Sequence, residues 1–210
     1  TYNGEVARRE TYFGLFTPED YRSSFCGEKW GFSICVIPQF ARSAYFSRPD
    51  RCAFWRKNPP EPAARKAYRH YFGYSIVHNV PIWVCEVYLP ELILDFRKQI
   101  TQVIGAWDEK VDFLPYWEAE KHGMGISSQQ PDRILLSAYR RGEDKALLVL
   151  FNDTDEAQNV FIIPDFAKLL GKPNGVLKEL SGVPLSVNGQ NAYPITIAPQ
   201  EYLLFQAQGK

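Results

Sequence analysis

Two glutamates stand where a pair of carboxyl groups could work together. Glu86 closes the apolar run Val80-Pro81-Ile82-Trp83-Val84-Cys85, and Glu118 follows Val111-Asp112-Phe113-Leu114-Pro115-Tyr116-Trp117. Both runs read as strands, so both carboxyl groups fall at carboxyl-terminal strand ends, with Glu120 close behind. Neighbouring strands lie about 4.8 Å apart. The pair could therefore reach the short separation at which one acid protonates a leaving oxygen while the other attacks an anomeric carbon or activates water. The plain alternative is that Glu86 caps a loop, Glu118 is solvated, and the acid belongs to strands upstream.

A polar, aromatic loop precedes these strands. Gln39, Arg42, Tyr45, Arg48, Arg51 and Trp55 lie in it, and together with Trp117 they are the candidate substrate-binding residues. Aromatic rings can stack on the C–H faces of sugars, and guanidinium groups bind carboxylate or sulfate bidentately. The competing readings are a solvated cationic loop and a Trp117 packed at a domain junction.

Other chemistries find little support. His70, His78 and His122 have no metal-ligand spacing, so no metal is expected. No GxSxG motif is present, and Gly123-Met124-Gly125 lacks the strand–helix context of a phosphate loop; no cofactor is expected. Asn152-Asp153-Thr154-Asp155 could hold calcium or accept an N-glycan, but a β-turn explains it more simply. None of Cys26, Cys35, Cys52 and Cys85 forms a CxxC pair. Cys35 and Cys85 sit in apolar runs as buried thiols, whereas Cys26 and Cys52 could pair in an oxidising compartment.

The elements that must position these residues change in kind near residue 120. Gly31–Ile37 reads as a strand buried on both faces. Pro59-Pro60-Glu61-Pro62 opens a helix whose face is Ala64, Ala67, Tyr68, Tyr71 and Ser75, ended by His78-Asn79. After the Val80–Val87 strand, Pro90-Glu91 opens a second helix with Leu92, Phe96, Ile100, Val103 and Trp107 as its stripe. Val111–Trp117 is the third strand. This alternation is the unit of a parallel α/β sheet.

Beyond it, Arg133–Arg140, Lys145–Phe151, Gln158–Ile163, Val176–Leu180, Pro184–Val187, Tyr193–Ile197 and Tyr202–Gln206 read as short strands, with one helical turn at Phe166–Gly171. Gly, Asn and Asp separate them, the signature of an antiparallel sandwich. The expected fold class is α/β followed by all-β. Residues 1–120 are β/α units of an incomplete barrel, and residues 121–210 are an antiparallel β-sandwich. Three parallel strands leave edges unpaired, and a whole barrel needs eight strands and about 250 residues. The remaining strands are expected upstream or in a complementary chain; a small open sheet capped by the sandwich is the alternative.

Composition agrees with a globular protein. The chain has 210 residues, 45% of them hydrophobic, enough for one large core or two small ones. Lys+Arg and Asp+Glu both number 24, so the basic excess of a nucleic-acid binder is missing. No apolar run nears the roughly 20 residues that span a bilayer, and no membrane partner is expected. Thr1-Tyr2-Asn3-Gly4-Glu5 lacks an initiator Met and a signal peptide, so a processed or truncated start is expected. Aromatics reach 15%; they suit sugar binding as well as core filling.

Several segments resemble one group of proteins. Phe113-Leu114-Pro115-Tyr116-Trp117-Glu118 resembles the "F-[IL]-P-Y-W" segment at the barrel end of glycoside-hydrolase-like proteins, and His78-Asn79-Val80-Pro81-Ile82-Trp83 is similar to their penultimate strand. Leu147–Asp155 resembles a sandwich strand reading "hhhhNxTD". Leu180-Ser181-Gly182 and Ile195–Phe205 are similar to the last two strands. The resemblance covers about the last 130 residues. It implies that the chain is the C-terminal part of such a protein, as in α-amylase-like and α-galactosidase-like enzymes, with a carbohydrate as partner. It implies glycosidic-bond hydrolysis by the complete protein and little activity in this portion alone. The alternative is a non-catalytic carbohydrate-binding or assembly module. The sequence does not fix the compartment; a secreted or periplasmic one suits this reading best.

Overall fold

The computed structural model describes residues 61–80, 89–106, 108–189 and 191–209. The expected strands at 31–37 and 81–87, the loop residues Gln39, Arg42, Tyr45 and Trp55, the carboxylate Glu86 and all four cysteines lie outside the described residues. The polypeptide groups into two compact units, Thr1–Gln99 and Ile100–Lys210.

In the first unit, α1 spans Glu61–Val77. Pro62 falls in its first turn, where a missing N–H costs nothing, and Glu61 pairs with Arg65 one turn on at 2.6 Å. The helix stops because Asn79 turns left-handed (φ 57). Val80 N–H then donates to Ser75 O at 2.8 Å, and the Ser75 hydroxyl donates to Val80 O. The second helix, α2, spans Pro90–Val103. Its Phe96 ring stacks on Phe72 of α1, centroids 4.4 Å apart and 5° from parallel. The buried stripe is Ile93, Phe96 and Ile100, with Ile104 buried just past the helix. Leu92 and Val103, expected on that stripe, are only half-buried; the helix is rotated so that their neighbours Ile93 and Ile104 face inward.

The second unit is antiparallel throughout its described strands. β1 (Asp112–Leu114), β3 (Ile134–Arg141), β4 (Lys145–Asn152), β6 (Gly175–Glu179) and β8 (Tyr202–Gly209) form a five-stranded sheet in the order β1-β3-β4-β8-β6. β2 (Met124–Ser127), β5 (Gln158–Pro164) and β7 (Tyr193–Ile197) form a three-stranded sheet in the order β2-β5-β7. A short helix, α3, covers Phe166–Leu170 between Asp165, which caps Ala167 N and Lys168 N, and the left-handed Gly171. The β3–β4 hairpin turns at Gly142, whose φ of 63° suits glycine.

One apolar core is built from both sheets. Ile134, Leu136, Ala138, Leu148 and Leu150 come from the larger sheet, and Val160, Ile162, Tyr193 and Ile197 from the smaller. The alternation in β5 is clean: Gln158, Val160 and Ile162 are buried while Asn159, Phe161 and Ile163 are exposed. β3 and β4 differ. Leu135, Ser137, Tyr139, Leu147, Val149 and Phe151, on their other face, are buried as well, so both faces of these strands are covered.

Two expectations are corrected. Val111–Trp117 was to be the third strand of a parallel sheet. Its strand portion instead pairs antiparallel with β3, with Phe113 opposite Tyr139 and Leu114 opposite Ala138. A short run buried on both sides has no periodicity that distinguishes a parallel from an antiparallel partner. Pro184–Val187 makes no strand; it offers one bridge, Pro184 to Lys178, and one bond, Leu185 N–H to Leu177 O at 2.9 Å. Pro184 has no N–H for a ladder. Conversely β2 was not foreseen, since two glycines flank Met124.

Candidate functional site

Of the two expected carboxylates, Glu118 is described. Pro115, extended at φ −78° and ψ 151°, ends β1, and Tyr116–Glu118 coils into one 3-10 turn. Glu118 N–H returns to Pro115 O at 3.0 Å. Tyr116 N–H donates to Ser137 Oγ of β3 at 3.0 Å, which pins the turn to the sheet. The chain coils on to Gly123. A Cβ at Gly123 would sit 2.6 Å from Asp165 O, and its φ is +71°, so glycine is required there. Asp165 N–H donates to Gly123 O at 2.8 Å, tying the coil to the start of α3.

Glu118 Oε2 accepts from Lys121 Nζ at 2.9 Å and lies 3.3 Å from His122 Nε2. Both partners come from the following turn. The Lys121 ammonium, through its hydrogen bond and its charge, holds the Glu118 carboxyl below its ordinary range, with His122 adding to the effect. An acid so lowered is a carboxylate at neutral pH. A group in that state attacks or accepts a proton more readily than it donates one.

Trp117 is half-buried. Tyr116 meets it edge-on at 4.9 Å and 85°, and Phe113 at 6.2 Å and 65°. Phe113 in turn packs on Tyr139 of β3 at 5.3 Å. The register explains the grouping, because Phe113 and Tyr139 are directly opposed and share a face. The Trp117 ring is thus an outer member of an aromatic cluster standing on the sheet. Glu120 is exposed.

The Asn152–Asp155 segment is a different kind of feature from either a calcium loop or a glycan acceptor. Asn152 is 0% exposed. Its Nδ2 donates to Glu156 O at 2.8 Å and Ala198 O at 2.9 Å, with Ile197 O at 3.4 Å. Its Oδ1 accepts from Thr154 N–H at 2.9 Å and lies 2.7 Å from Thr154 Oγ1. Thr154 Oγ1 also accepts from Gln158 Nε2 at 3.3 Å. Asp153, 1% exposed, receives Arg133 Nη2 at 2.6 Å and Nε at 2.9 Å. The amide nitrogen that a glycan would need is thus spent on carbonyls inside the protein. The network joins the end of β4 in one sheet to the start of β5 and the end of β7 in the other. The pattern Asn-x-Thr was visible in the sequence; its role as a clasp between sheets was not.

In the first unit, His78 Nδ1 donates to Tyr74 O at 2.8 Å, and its ring lies 10° from parallel to that of Tyr74. Burial, with the Glu91 charge adding to it, pushes the Tyr68 hydroxyl pKa upward. Among the described residues no group of three His, Cys, Asp or Glu side chains is placed to hold a metal ion, and no described helix is long and apolar enough to cross a membrane.

No protein-family model matches the chain, and no curated protein does. Solved structures similar to it are glycoside hydrolases, matched over part of their length. One is a Bacillus halodurans protein provisionally described as an α-N-acetylgalactosaminidase, at 12% identity and a TM-score of 0.46, covering 69% of this chain and 32% of that one. Another is α-galactosidase I from Mortierella vinacea, at 10% identity and a TM-score of 0.42, covering 68% and 35%. A third is an Anoxybacillus α-amylase, at 12% identity and a TM-score of 0.41, covering 67% and 33%. The chain thus spans about a third of the length of these three proteins.

Proposed function

We propose that this chain is the C-terminal portion of a glycoside-hydrolase-like protein acting on a carbohydrate. Residues upstream of the Phe113-Leu114-Pro115-Tyr116-Trp117-Glu118 turn supply the last β/α units of a barrel, and the two antiparallel sheets form a sandwich that follows them. One observation carries this reading. The Leu147–Asp155 segment, which resembles a sandwich strand of such proteins, forms β4 and the buried Asn152–Thr154 clasp that holds two antiparallel sheets together.

Within this reading the two carboxylates have separate roles. Glu118, held ionised beside Lys121, is the candidate nucleophile or base. Glu86 is the candidate proton donor. Gln39, Arg42, Tyr45, Trp55 and Trp117 are the candidate sugar contacts, and the rest of the barrel comes from a preceding segment or a complementary chain. The binding-module alternative is less well supported. Phe161 is the one aromatic among the large exposed apolar side chains of the described residues, whereas such modules need several rings in one plane.

The test is turnover of aryl glycosides by the complete protein carrying Glu86→Gln or Glu118→Gln. Each substitution is expected to lower kcat by orders of magnitude, with no loss of folding by circular dichroism. Activity within a few-fold of wild type for Glu118→Gln would remove that residue from the reaction and leave it as a fastener of its turn.

A further inference from the structure

The chain contains three Asn-Gly pairs: Asn3-Gly4, Asn174-Gly175 and Asn188-Gly189. Such a pair is chemically labile. Glycine lacks a Cβ to shield its backbone nitrogen, so that nitrogen can attack the asparagine carboxamide. Whether it does depends on whether the amide proton and the side chain are already engaged. Asn3-Gly4 lies outside the described residues; the other two pairs differ sharply.

At Asn188 the side chain is pinned. Its Oδ1 accepts from Ala192 N–H at 2.9 Å, and its own N–H donates to Ala192 O at 2.9 Å. The residue is half-buried.

At Asn174 the reverse holds. The residue is exposed, and its carboxamide has no hydrogen-bond partner among the described residues. Gly175 opens β6, opposite Gly209 of β8. Gly209 turns its N–H the other way, to Asp144 O at 3.4 Å. Opposed residues of an antiparallel ladder exchange both bonds or neither, so Gly175 makes none with β8. The next residues of the same parity agree. Leu177 O accepts from Leu185 N–H at 2.9 Å, and Glu179 N–H donates to Val183 O at 2.8 Å, both on the outer edge. The Val183–Leu185 segment covers that edge at Leu177 and Glu179 but does not reach Gly175. The Gly175 N–H therefore points into an open edge, next to a solvated carboxamide.

We propose that Asn174-Gly175 is a site of spontaneous deamidation in the folded protein. The Gly175 nitrogen, losing its proton to water or hydroxide, attacks Asn174 Cγ. A C–N bond forms, the Cγ–Nδ2 bond breaks, and ammonia leaves, giving a five-membered succinimide. Water then opens the ring. Hydrolysis at Cγ leaves aspartate at position 174. Hydrolysis at the main-chain carbonyl leaves isoaspartate, with one extra methylene in the backbone. Either product adds a negative charge to a chain of formal net charge zero. Isoaspartate also displaces Gly175, which packs so closely under Phe166 that a Cβ there would collide with the ring.

The experiment is incubation of the folded chain at mildly alkaline pH, followed by trypsin digestion and mass spectrometry. A parallel sample is held in denaturant. The peptide Leu169–Lys178 contains Asn174 and neither of the other two pairs. Its gain of one mass unit is expected at nearly the same rate in the folded and denatured samples, and isoaspartyl methyltransferase should label it. The Asn188 peptide is expected to react several-fold more slowly folded than denatured. Asn174→Gln should abolish the first signal and leave the second. Suppression of the Asn174 reaction by folding to the extent seen at Asn188 would overturn the proposal.

Discussion

Asn152→Ala is the substitution whose effect can be worked most fully from the structure. The side chain is fully buried and serves both sheets. Its Nδ2 satisfies Glu156 O and Ala198 O at short range, and its Oδ1 satisfies Thr154 N–H and Thr154 Oγ1. That is four good contacts. A typical intramolecular hydrogen bond contributes about 1 kcal/mol net, and a stranded buried partner costs about 1–3 kcal/mol. Alanine therefore removes about 4 kcal/mol, in the exceptional range for one residue, against a total stability of about 5–15 kcal/mol. With a slope of about 1–3 kcal/mol/M, the urea midpoint falls by about 1–4 M. Asn152→Asp keeps the acceptor but replaces the donor with a charge aimed at carbonyls, and it is expected to be as damaging. Asn159→Ala is the control. Its side chain is exposed and bonded to Thr196 Oγ1 at 2.8 Å, and its loss should change stability by about 0.5 kcal/mol or less. Equilibrium urea unfolding followed by far-ultraviolet circular dichroism reads all three. An Asn152→Ala shift no larger than that of Asn159→Ala would refute the clasp.

Further outcomes follow from single contacts. Arg133→Ala leaves the Asp153 carboxylate buried without its guanidinium; unfolding should show a loss of about 3 kcal/mol, partly recovered in Arg133→Ala/Asp153→Asn. Gly123→Ala puts a side chain on a left-handed backbone and against Asp165 O, and thermal unfolding should register a loss of about 1–3 kcal/mol. Glu118 has a folded pKa below its unfolded one, so its ion pair stabilises the protein above the unfolded value and that contribution fades as pH falls through the folded one. Glu118→Gln should therefore shallow the acid limb of a melting-temperature profile; an unchanged limb would contradict the ion pair.

The elements that the sequence displayed best were those with one dominant signal. Phe166–Leu170 was legible from its length and its glycine stop, and β5 and β7 as short apolar segments set between Gly-, Asn- and Asp-bearing turns. β3 and β4 were legible as strands because β-branched and leucine-rich runs between turn residues leave few alternatives. What the sequence hid was pairing. Leu114 could face Ala138 or a parallel neighbour with the same apolar pattern, and only the hydrogen-bond register tells them apart. β2 was hidden because Gly125 has a strand-breaking composition; in the fold it lies against Ile163, where a Cβ would meet a carbonyl oxygen at 2.6 Å. At the candidate site, Glu118 was singled out by its position, but its ion pair depends on Lys121 and His122 arriving on one coil, which spacing of three and four residues permits without requiring. The clasp was written as Asn-x-Thr, and nothing local says that its partners are the carbonyls of residues 156 and 198.

The central proposal is that this chain is part of a glycoside-hydrolase-like protein and does not cleave glycosides by itself. Its most direct measurement is the hydrolysis of a panel of aryl glycosides by the natural gene product and by the 210-residue chain, side by side. The account predicts release of the aryl group by the gene product at a rate in the usual enzymatic range of about 1–1000 per second, and none by the chain alone. Turnover by the chain at such rates, or a gene product that cleaves no glycoside in the panel, would contradict it.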